Sequence, residues 1–256
     1  MISGDAFLTA SPAKRAAAER AVELLRPRLL EAERVGVGTG STVAAVVEAL
    51  LRDPELSRAL RGARVYASSL STLLLLRSHG VEAYTQVPGR GLDLYFDGAD
   101  EAAPVGGECM LVKGRGAAML REKIMAYNSR YTVIVVDESK LSSRLGELGK
   151  PVPVEVLEPA LQPVIEELRA RGVRAEPRLG CGCRDGPALT DNCGVVVDTW
   201  PWGVIEPMEY SSLLDRIPGV MGHGLFIGYA DALVVGRGDG GSEVYECRRR
   251  WRNPTL

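Results

Sequence analysis

Histidine and lysine are scarce in this chain. Its 256 residues include two histidines, and its 31 basic residues are 26 arginines and five lysines. Because imidazole is so rare, we expect carboxylates to carry any acid–base chemistry. A basic excess is lacking as well, since the net charge is −2 and the isoelectric point about 5.9. This balance argues against a nucleic-acid partner and favours a small-molecule substrate.

Long apolar segments and an ordered cysteine pattern are lacking too. No run of 18 apolar residues occurs, and the first residues lack the apolar core of a signal peptide, so we expect a cytoplasmic protein with no membrane partner. The five cysteines are odd in number and scattered, unlike a secreted disulfide framework. Cys181 and Cys183 stand closer together than in a CxxC metal knuckle, which favours ordinary thiols over a disulfide or a metal site.

The N-terminal half alternates strands and helices. Ser11 and Pro12 mark the start of a helix predicted over residues 12–34. A strand at Arg34–Val37, a loop of small residues at Gly38–Thr42 and an apolar helix follow, and this is the first unit of a doubly wound sheet. We therefore predict an α/β fold with a Rossmann-like, doubly wound, mostly parallel sheet.

Further elements can be predicted along the rest of the chain. They are strand Arg64–Ala67, helix Leu70–Ser78, strand Leu92–Phe96, a short strand before Lys113, an apolar strand ending at Asp137, strand Val152–Val156, helix Val164–Arg171, strands Ala175–Leu179 and Val195–Asp198, helix Met208–Ile217 and a final strand Ala232–Gly236.

The composition changes after about Leu141, where prolines become frequent. We predict a Rossmann-like catalytic domain over residues 1–146 and 217–256. A small α+β domain over residues 147–216 is expected to take part in oligomerisation.

The loop Gly36–Val43 is a candidate phosphate cradle. Backbone N–H groups at the start of a helix attract an anion, and glycines allow it to approach. Thr39, Ser41 and Thr42 add hydroxyl donors. The loop lacks the Gly-Lys-Ser/Thr ending of a Walker A motif, and a threonine stands at the third glycine position of GxGxxG. A tight strand-to-helix turn without a ligand is the alternative interpretation.

Three carboxylates, Asp97, Asp100 and Glu101, follow the strand at Leu92–Phe96. At the carboxyl edge of a parallel sheet such side chains face the ligand crevice, where they can hold hydroxyl groups or move protons. The alternative is a polar turn that caps the next segment.

The stretch Lys113–Lys123 combines a lysine, a glycine loop and a predicted helix. Glu122 lies about two turns into this helix if the helix begins near Ala117. A lysine beside a glycine loop can bind phosphate or stabilise an oxyanion, and a glutamate facing the same crevice can act as a base. A solvated charge run at residues 121–123 is the alternative.

Two further lysines and the two histidines are less clearly placed. Lys140 either reaches an anion or is a solvated charge, and Lys14 contributes only if the first helix crosses the cleft. His79 fits the end of a helix, whereas His223 fits either a turn or the rim of a site.

Several of these stretches occur in the order of one family's motifs. They are GVGTGST, SSLST, DGADE, VKGRGAAMLREK, VDESKL, LGKPVPVEV, TDN and IPGVMGHGLFIGYAD. Together they resemble the ribose-5-phosphate isomerase family, type A, from about Lys14 to Gly236. The resemblance implies interconversion of ribose 5-phosphate and ribulose 5-phosphate in the pentose phosphate pathway, without metal or organic cofactor. It also implies a Rossmann-like domain beside a second, smaller α+β (ferredoxin-like) domain, usually in a homodimer or homotetramer.

The resemblance implies roles for individual residues. The family's general base is the glutamate of REK, which is Glu122 here. Lys113 would stabilise the enediolate oxygen, while Asp97 and Asp100 would bind hydroxyls or relay a proton. The expected substrate-binding residues are Lys14, Thr39, Gly40, Ser41, Thr42, Gly98, Ala99, Gly114, Arg115, Gly116 and Lys140.

Two positions depart from the family pattern. Arg115 stands where the family commonly has the middle one of three glycines, and a left-handed backbone there would cost about 1 kcal/mol or more. Otherwise its side chain points away or adds a phosphate contact. Cys193 stands within the family's TDNGN turn, outside the expected chemistry.

Two other kinds of function fit parts of the sequence. An amino-sugar phosphate deaminase or a CoA transferase shares this kind of scaffold, but would need a different base arrangement, often with histidine or a glutamyl nucleophile. A non-catalytic sugar-phosphate sensor would carry a DNA-binding helix pair and a basic face, and the sequence shows neither.

Overall fold

The structure, a computed structural model, describes residues 6–180 and 185–256. The α-helices of this part of the chain are α1 (Ala6–Thr9), α2 (Pro12–Leu29), α3 (Ser41–Arg52), α4 (Pro54–Gly62), α5 (Leu70–Ser78), α6 (Met119–Tyr127), α7 (Leu161–Ala170) and α8 (Pro207–Leu214). The strands are β1 (Arg34–Val37), β2 (Arg64–Ala67), β3 (Ala83–Tyr84), β4 (Leu94–Asp97), β5 (Glu101–Val105), β6 (Glu108–Val112), β7 (Thr132–Asp137), β8 (Val152–Val156), β9 (Arg174–Pro177), β10 (Val195–Trp200), β11 (Val220–His223), β12 (Leu225–Ile227), β13 (Ala232–Gly236) and β14 (Ser242–Glu246). None of the helices in these residues has both the length and the apolar composition needed to cross a bilayer.

The main sheet has seven strands in the order β14-β13-β7-β4-β1-β2-β3. Neighbouring strands are parallel except for β13 and β14, which form an antiparallel pair. The predicted α/β fold with a mostly parallel, doubly wound sheet is therefore confirmed. β14 lies beyond the strand that we expected to be the last one.

Local sequence explains where the helices begin. Ser11 Oγ accepts the backbone N–H of Lys14 at 3.4 Å, and Pro12 occupies the first turn of α2, where its missing N–H is not needed. The helix ends at Leu29 rather than near residue 34, because the chain must turn before it enters β1.

The segment after Asp97 differs from the prediction. β5 and β6 form an antiparallel hairpin that pairs with β12 in a separate three-stranded sheet, instead of adding a strand to the parallel sheet. Gly106 and Gly107 join the two strands with φ of 59° and 78°. A two-residue hairpin turn of type I′ requires positive φ at both central residues, so the Gly-Gly pair is the local signal for this hairpin.

The remaining strands form a four-stranded sheet in the order β11-β8-β10-β9. Helices α7 and α8 pack against it around buried Val154, Leu168 and Tyr210. The sheet includes β11, although this strand lies after residue 216, where we expected the small domain to end. The chain rejoins the main sheet at β13.

The two faces of β4 set the orientation of the site. Leu94 and Phe96 are buried in the core cluster beneath α2 and α3, whereas Tyr95 is buried in the cluster on the α6 side. Side chains alternate along a strand, so Asp97 lies on the same face as Tyr95. The β4 carboxylate is thereby directed toward α6 and the three-stranded sheet.

A disulfide joins Cys109 in β6 to Cys247, just after β14, with a Cα–Cα distance of 5.4 Å across a sequence separation of 138 residues. Arg248 and Arg250 both pair with Glu108 beside it, so the C-terminal segment is fastened to the hairpin. Scattered cysteines gave no sign of this pairing. Cys181 and Cys183 lie outside the described residues, and Cys193 is an exposed free thiol.

We expect Cys247→Ser to lower the free energy of unfolding by about 2 to 5 kcal/mol, because the disulfide closes a long loop in the unfolded chain. Thermal unfolding with and without reductant measures the effect. Cys193→Ser is the matched control and should leave the melting temperature unchanged. If wild type and Cys247→Ser melt together under oxidising conditions, the disulfide does not stabilise the fold.

Candidate active site

A cavity of about 480 Å³ opens at the carboxyl ends of the parallel strands, where ligands bind in doubly wound sheets. It is lined by Lys14, Thr39, Gly40, Ser41, Thr42, Gly98, Ala99, Asp100, Lys113, Gly114, Arg115, Gly116, Glu122 and Lys140. These are the residues singled out in the sequence, with Asp97 as the exception. Three loops that are far apart in the chain thus meet at one place.

One end of the cavity is built for an anion. Helix α3 begins at Ser41 after Gly40, and no side chain caps its first turn, so its N–H groups are open to a ligand. Lys14 Nζ donates to Ser41 Oγ at 3.0 Å. Lys14 of α2 therefore reaches the cleft, which is the condition we set for its contribution to substrate binding. Positive charge, hydroxyls and a helix N-terminus together favour a phosphate group.

Asp97 lies behind the cavity wall and is fully buried. Its carboxylate accepts hydrogen bonds from the N–H groups of Thr39 (3.0 Å) and Gly98 (2.7 Å) and from the Tyr95 hydroxyl, and it pairs with Lys113 Nζ at 2.7 Å. A Cβ at Gly38 would lie 1.9 Å from an Asp97 oxygen, so the glycine loop packs directly on the carboxylate. Asp97 therefore contacts Lys113 and does not line the cavity, whereas we expected it to bind substrate hydroxyls.

Glu122 lies in the first turn of α6, not two turns into it, because the helix begins at Met119. Its side chain is buried, and Oε2 lies 3.3 Å from Lys113 Nζ without making a hydrogen bond. A buried carboxylate oxygen with no donor is costly unless something else uses it. Glu122 is among the residues that line the cavity, so this oxygen is available to a bound molecule.

The charges of this group shift one another's pKa values. Burial disfavours the charge of Lys113, but Asp97 and Glu122 more than offset it and raise the lysine pKa, so Lys113 stays protonated. Burial and the negative charge of Asp97 raise the pKa of Glu122 to about 8, against the opposing effect of Lys113. A carboxyl group that titrates near neutrality is suited to take up and return a proton.

In the loop after Lys113, the non-glycine residue with a left-handed backbone is Ala117, and not Arg115 as considered above. Arg115 is not among the residues with positive φ; Ala117 is, at 57°, and so is Cys193, at 64°. A left-handed alanine at such a place costs of order 1 kcal/mol and is common at functional loops. Arg115 donates its backbone N–H to Asp100 Oδ2 at 2.9 Å, which joins two of the cavity's loops.

Two contributors escaped the sequence analysis. Tyr95 donates to Asp97 from two positions earlier on β4, and only the strand alternation could have suggested it. Arg178 reaches the glycine loop from the four-stranded sheet, and nothing local to its sequence suggests that contact. His79 and His223 do not line the cavity.

No group of three or more His, Cys, Asp or Glu side chains within residues 6–180 and 185–256 is arranged to hold a metal ion. Of the charged side chains that the structure describes, Lys14, Asp100, Lys113, Arg115, Glu122 and Lys140 line the cavity.

Comparison with known proteins identifies the family. The family model described as ribose 5-phosphate isomerase A (phosphoriboisomerase A) matches residues 64–240. The chain belongs to this family. Ribose-5-phosphate isomerase A of Thermosynechococcus vestitus is 39% identical over 216 residues, which are 83% of this chain and 88% of that protein. The protein of the same name from Methanosarcina acetivorans is 39% identical over 237 residues, 92% and 95% of the two chains.

Solved structures of the ribose 5-phosphate isomerase A family share the fold. The enzyme from Methanocaldococcus jannaschii superposes with a TM-score of 0.78 at 32% identity, covering 91% of this chain and 97% of that one. A D-ribose-5-phosphate isomerase in complex with phospho-erythronic acid gives a TM-score of 0.79 at 33% identity, with the same coverage.

Proposed function

We propose that this protein interconverts D-ribose 5-phosphate and D-ribulose 5-phosphate through an enediolate. One observation carries the proposal. Among the residues that line the cavity, Glu122 has a buried oxygen with no hydrogen bond, 3.3 Å from Lys113, a lysine that Asp97 holds in place. A base beside a fixed cation is what proton transfer next to a carbonyl group requires.

The phosphate group would bind at the start of α3. Ser41 and Thr42 supply hydroxyl and backbone N–H donors, and Lys14 adds a positive charge that already contacts Ser41. Lys140 lines the same cavity and is a further candidate for this contact. Binding energy from this end would place the sugar chain against Glu122.

Glu122 would move the carbon-bound proton. In the open-chain aldose it takes the proton from C2, and the aldehyde oxygen O1 becomes the enediolate oxygen. Glu122 then returns the proton to C1, while the proton on O2 passes to O1 to leave the ketose. The pKa of about 8 makes the carboxylate basic enough for this step and still partly ionised near neutral pH.

Lys113 would stabilise the enediolate. Its ammonium group lies between Asp97 and Glu122 and also donates to the carbonyl oxygen of Gly98. A cation held before the charge develops needs no reorganisation during the reaction. Asp100, which lines the cavity, is the candidate for binding a sugar hydroxyl or relaying the proton between O1 and O2.

A direct assay tests the function. Purified protein is incubated with ribose 5-phosphate and EDTA, and ketose formation is followed. Rapid conversion is expected, since the proposed chemistry needs no metal or organic cofactor. Binding without turnover would favour a sugar-phosphate sensor, and release of ammonia only from an amino-sugar phosphate would favour a deaminase. We further propose that the protein acts in the cytoplasm as a homodimer or homotetramer.

A further inference from the structure

Arg178 connects the four-stranded sheet to the loop that carries Lys113. It directly follows β9, and its Nη1 donates to the carbonyl oxygens of Gly114 (3.0 Å) and Arg115 (2.9 Å). Arg178 does not line the cavity, so it acts on the loop from outside. The two carbonyl groups belong to consecutive peptide units of the glycine loop.

Arg178 is itself firmly held. Its Nε and Nη2 donate to the two carboxylate oxygens of Asp198 in β10, at 2.9 and 2.5 Å, a two-point ion pair that fixes the plane of the guanidinium. Its backbone N–H donates to Val196 O, and its carbonyl oxygen accepts from Ala188 N–H. The donor that reaches the loop is thus part of a rigid sheet.

Because the peptide bond is planar, a carbonyl group held by Arg178 also fixes the direction of the N–H group in the same peptide unit. In a trans peptide the C=O and the following N–H point in opposite directions. The Gly114 carbonyl oxygen accepts from Arg178 and also from the Ala117 N–H at 3.0 Å, and the N–H of the same peptide unit, from Arg115, reaches Asp100 at 2.9 Å on the other side. The Arg115 carbonyl is the one that Arg178 orients more directly. By the same geometry, fixing the Arg115 carbonyl turns the Gly116 N–H away from Arg178, and Gly116 lines the cavity.

We propose that Arg178 is a positioning residue for the isomerisation. It holds the Gly114 and Arg115 carbonyl oxygens outside the cavity, so that the loop presents the Gly116 N–H and not a carbonyl oxygen to the enediolate, while the Arg115 N–H stays bound to Asp100. A carbonyl dipole turned inward would repel the negative oxygen that develops in the reaction, whereas an N–H group stabilises it. This inference rests on the proposed function for its chemistry.

Arg178→Ala tests the proposal. We expect kcat to fall about 10- to 100-fold through loop misplacement, with the KM for ribose 5-phosphate changed less than about threefold. Affinity for phospho-erythronic acid, whose planar carboxylate resembles the enediolate, should fall in step with kcat. Calorimetry gives this affinity whether or not the protein turns over, so the proposal is tested even if the proposed function fails.

Variants and controls separate positioning from a merely structural role. Arg178→Lys keeps the charge but lacks the planar fork that reaches both partners, and should recover only part of the loss. Ethylguanidinium at low millimolar concentration should partly restore Arg178→Ala. Arg174→Ala is the matched control, since Arg174 lies in β9, just before Arg178, and pairs with Glu176 at an exposed position. It should leave kcat, KM and the affinity for the analogue unchanged.

Either of two outcomes would overturn the proposal. One is unchanged kcat and unchanged affinity for the analogue in Arg178→Ala. The other is a loss that follows the fraction of unfolded protein, shows no rescue by ethylguanidinium and affects substrate and analogue equally.

Discussion

Glu122→Gln is expected to reduce kcat by about 100-fold or more with little change in KM. The amide has nearly the shape of the carboxyl group but cannot accept the carbon-bound proton. In the proposed binding mode the phosphate end, at the start of α3 and Lys14, supplies most of the affinity, and the substitution leaves that end intact. Steady-state kinetics in both directions measures the effect.

The pH profile provides a second test of the same residue. Only ionised Glu122 can act as the base, and burial and Asp97 raise its pKa to about 8. Wild-type kcat/KM should therefore rise with pH, reach half its maximum near that value and level off above it. The residual activity of Glu122→Gln should lack this limb.

Glu209→Gln is the matched control for Glu122→Gln. Glu209 also lies in the first turn of a helix, α8, but is exposed and does not line the cavity. Its substitution should leave kcat and the pH profile unchanged. Turnover of Glu122→Gln close to that of wild type would remove Glu122 from its proposed role.

Lys113→Met is the second large effect that we expect. Loss of the ammonium group should reduce kcat by about 100- to 1000-fold, since a fixed donor to a developing oxyanion is typically worth that much. It should also destabilise the protein by about 3 to 5 kcal/mol, because the buried carboxylate of Asp97 loses its counter-charge.

A double substitution separates these two consequences. In Asp97→Asn/Lys113→Met the buried charge and its partner are removed together, so much of the lost stability should return. Activity should stay low, because no cation faces the enediolate. Thermal unfolding and kinetics of the two single variants and the double variant complete the cycle. Recovery of both stability and activity would show that Lys113 has only a structural role.

The loops of the candidate site could be predicted because their signals are local. Gly38–Thr42 follows an apolar strand and precedes an apolar helix, and the glycine loop after Lys113 likewise lies between a strand and a helix. The carboxyl ends of parallel strands meet at one edge, so the strand pattern predicted that the loops after β1 and β4 converge. The glycine loop after Lys113 reaches the same place from the antiparallel strand β6, which the strand pattern did not predict. The Gly106-Gly107 pair is also a local signal, for the hairpin turn. We missed it because we assumed that the alternation of parallel strands and helices continued.

The distinct tasks of the three acidic positions could not be predicted. Asp97, Asp100 and Glu101 are close neighbours in the sequence, yet Asp97 lies behind Lys113, Asp100 lines the cavity and Glu101 accepts a backbone N–H from Leu148. Their separation depends on how β4 ends and where the hairpin β5–β6 leaves the sheet. Those are consequences of packing, not of residue type.

The sequence by itself determined the α/β class, the main parallel sheet and the residue types gathered at its carboxyl edge, because strand and helix periods and glycine loops are properties of short segments. Only the tertiary structure decided which groups touch. Arg178 and Gly114 are 64 residues apart, and Cys109 and Cys247 are 138 apart. Such contacts arise when separate elements pack, and that packing also buries Glu122 beside Lys113 and thereby sets its proton affinity.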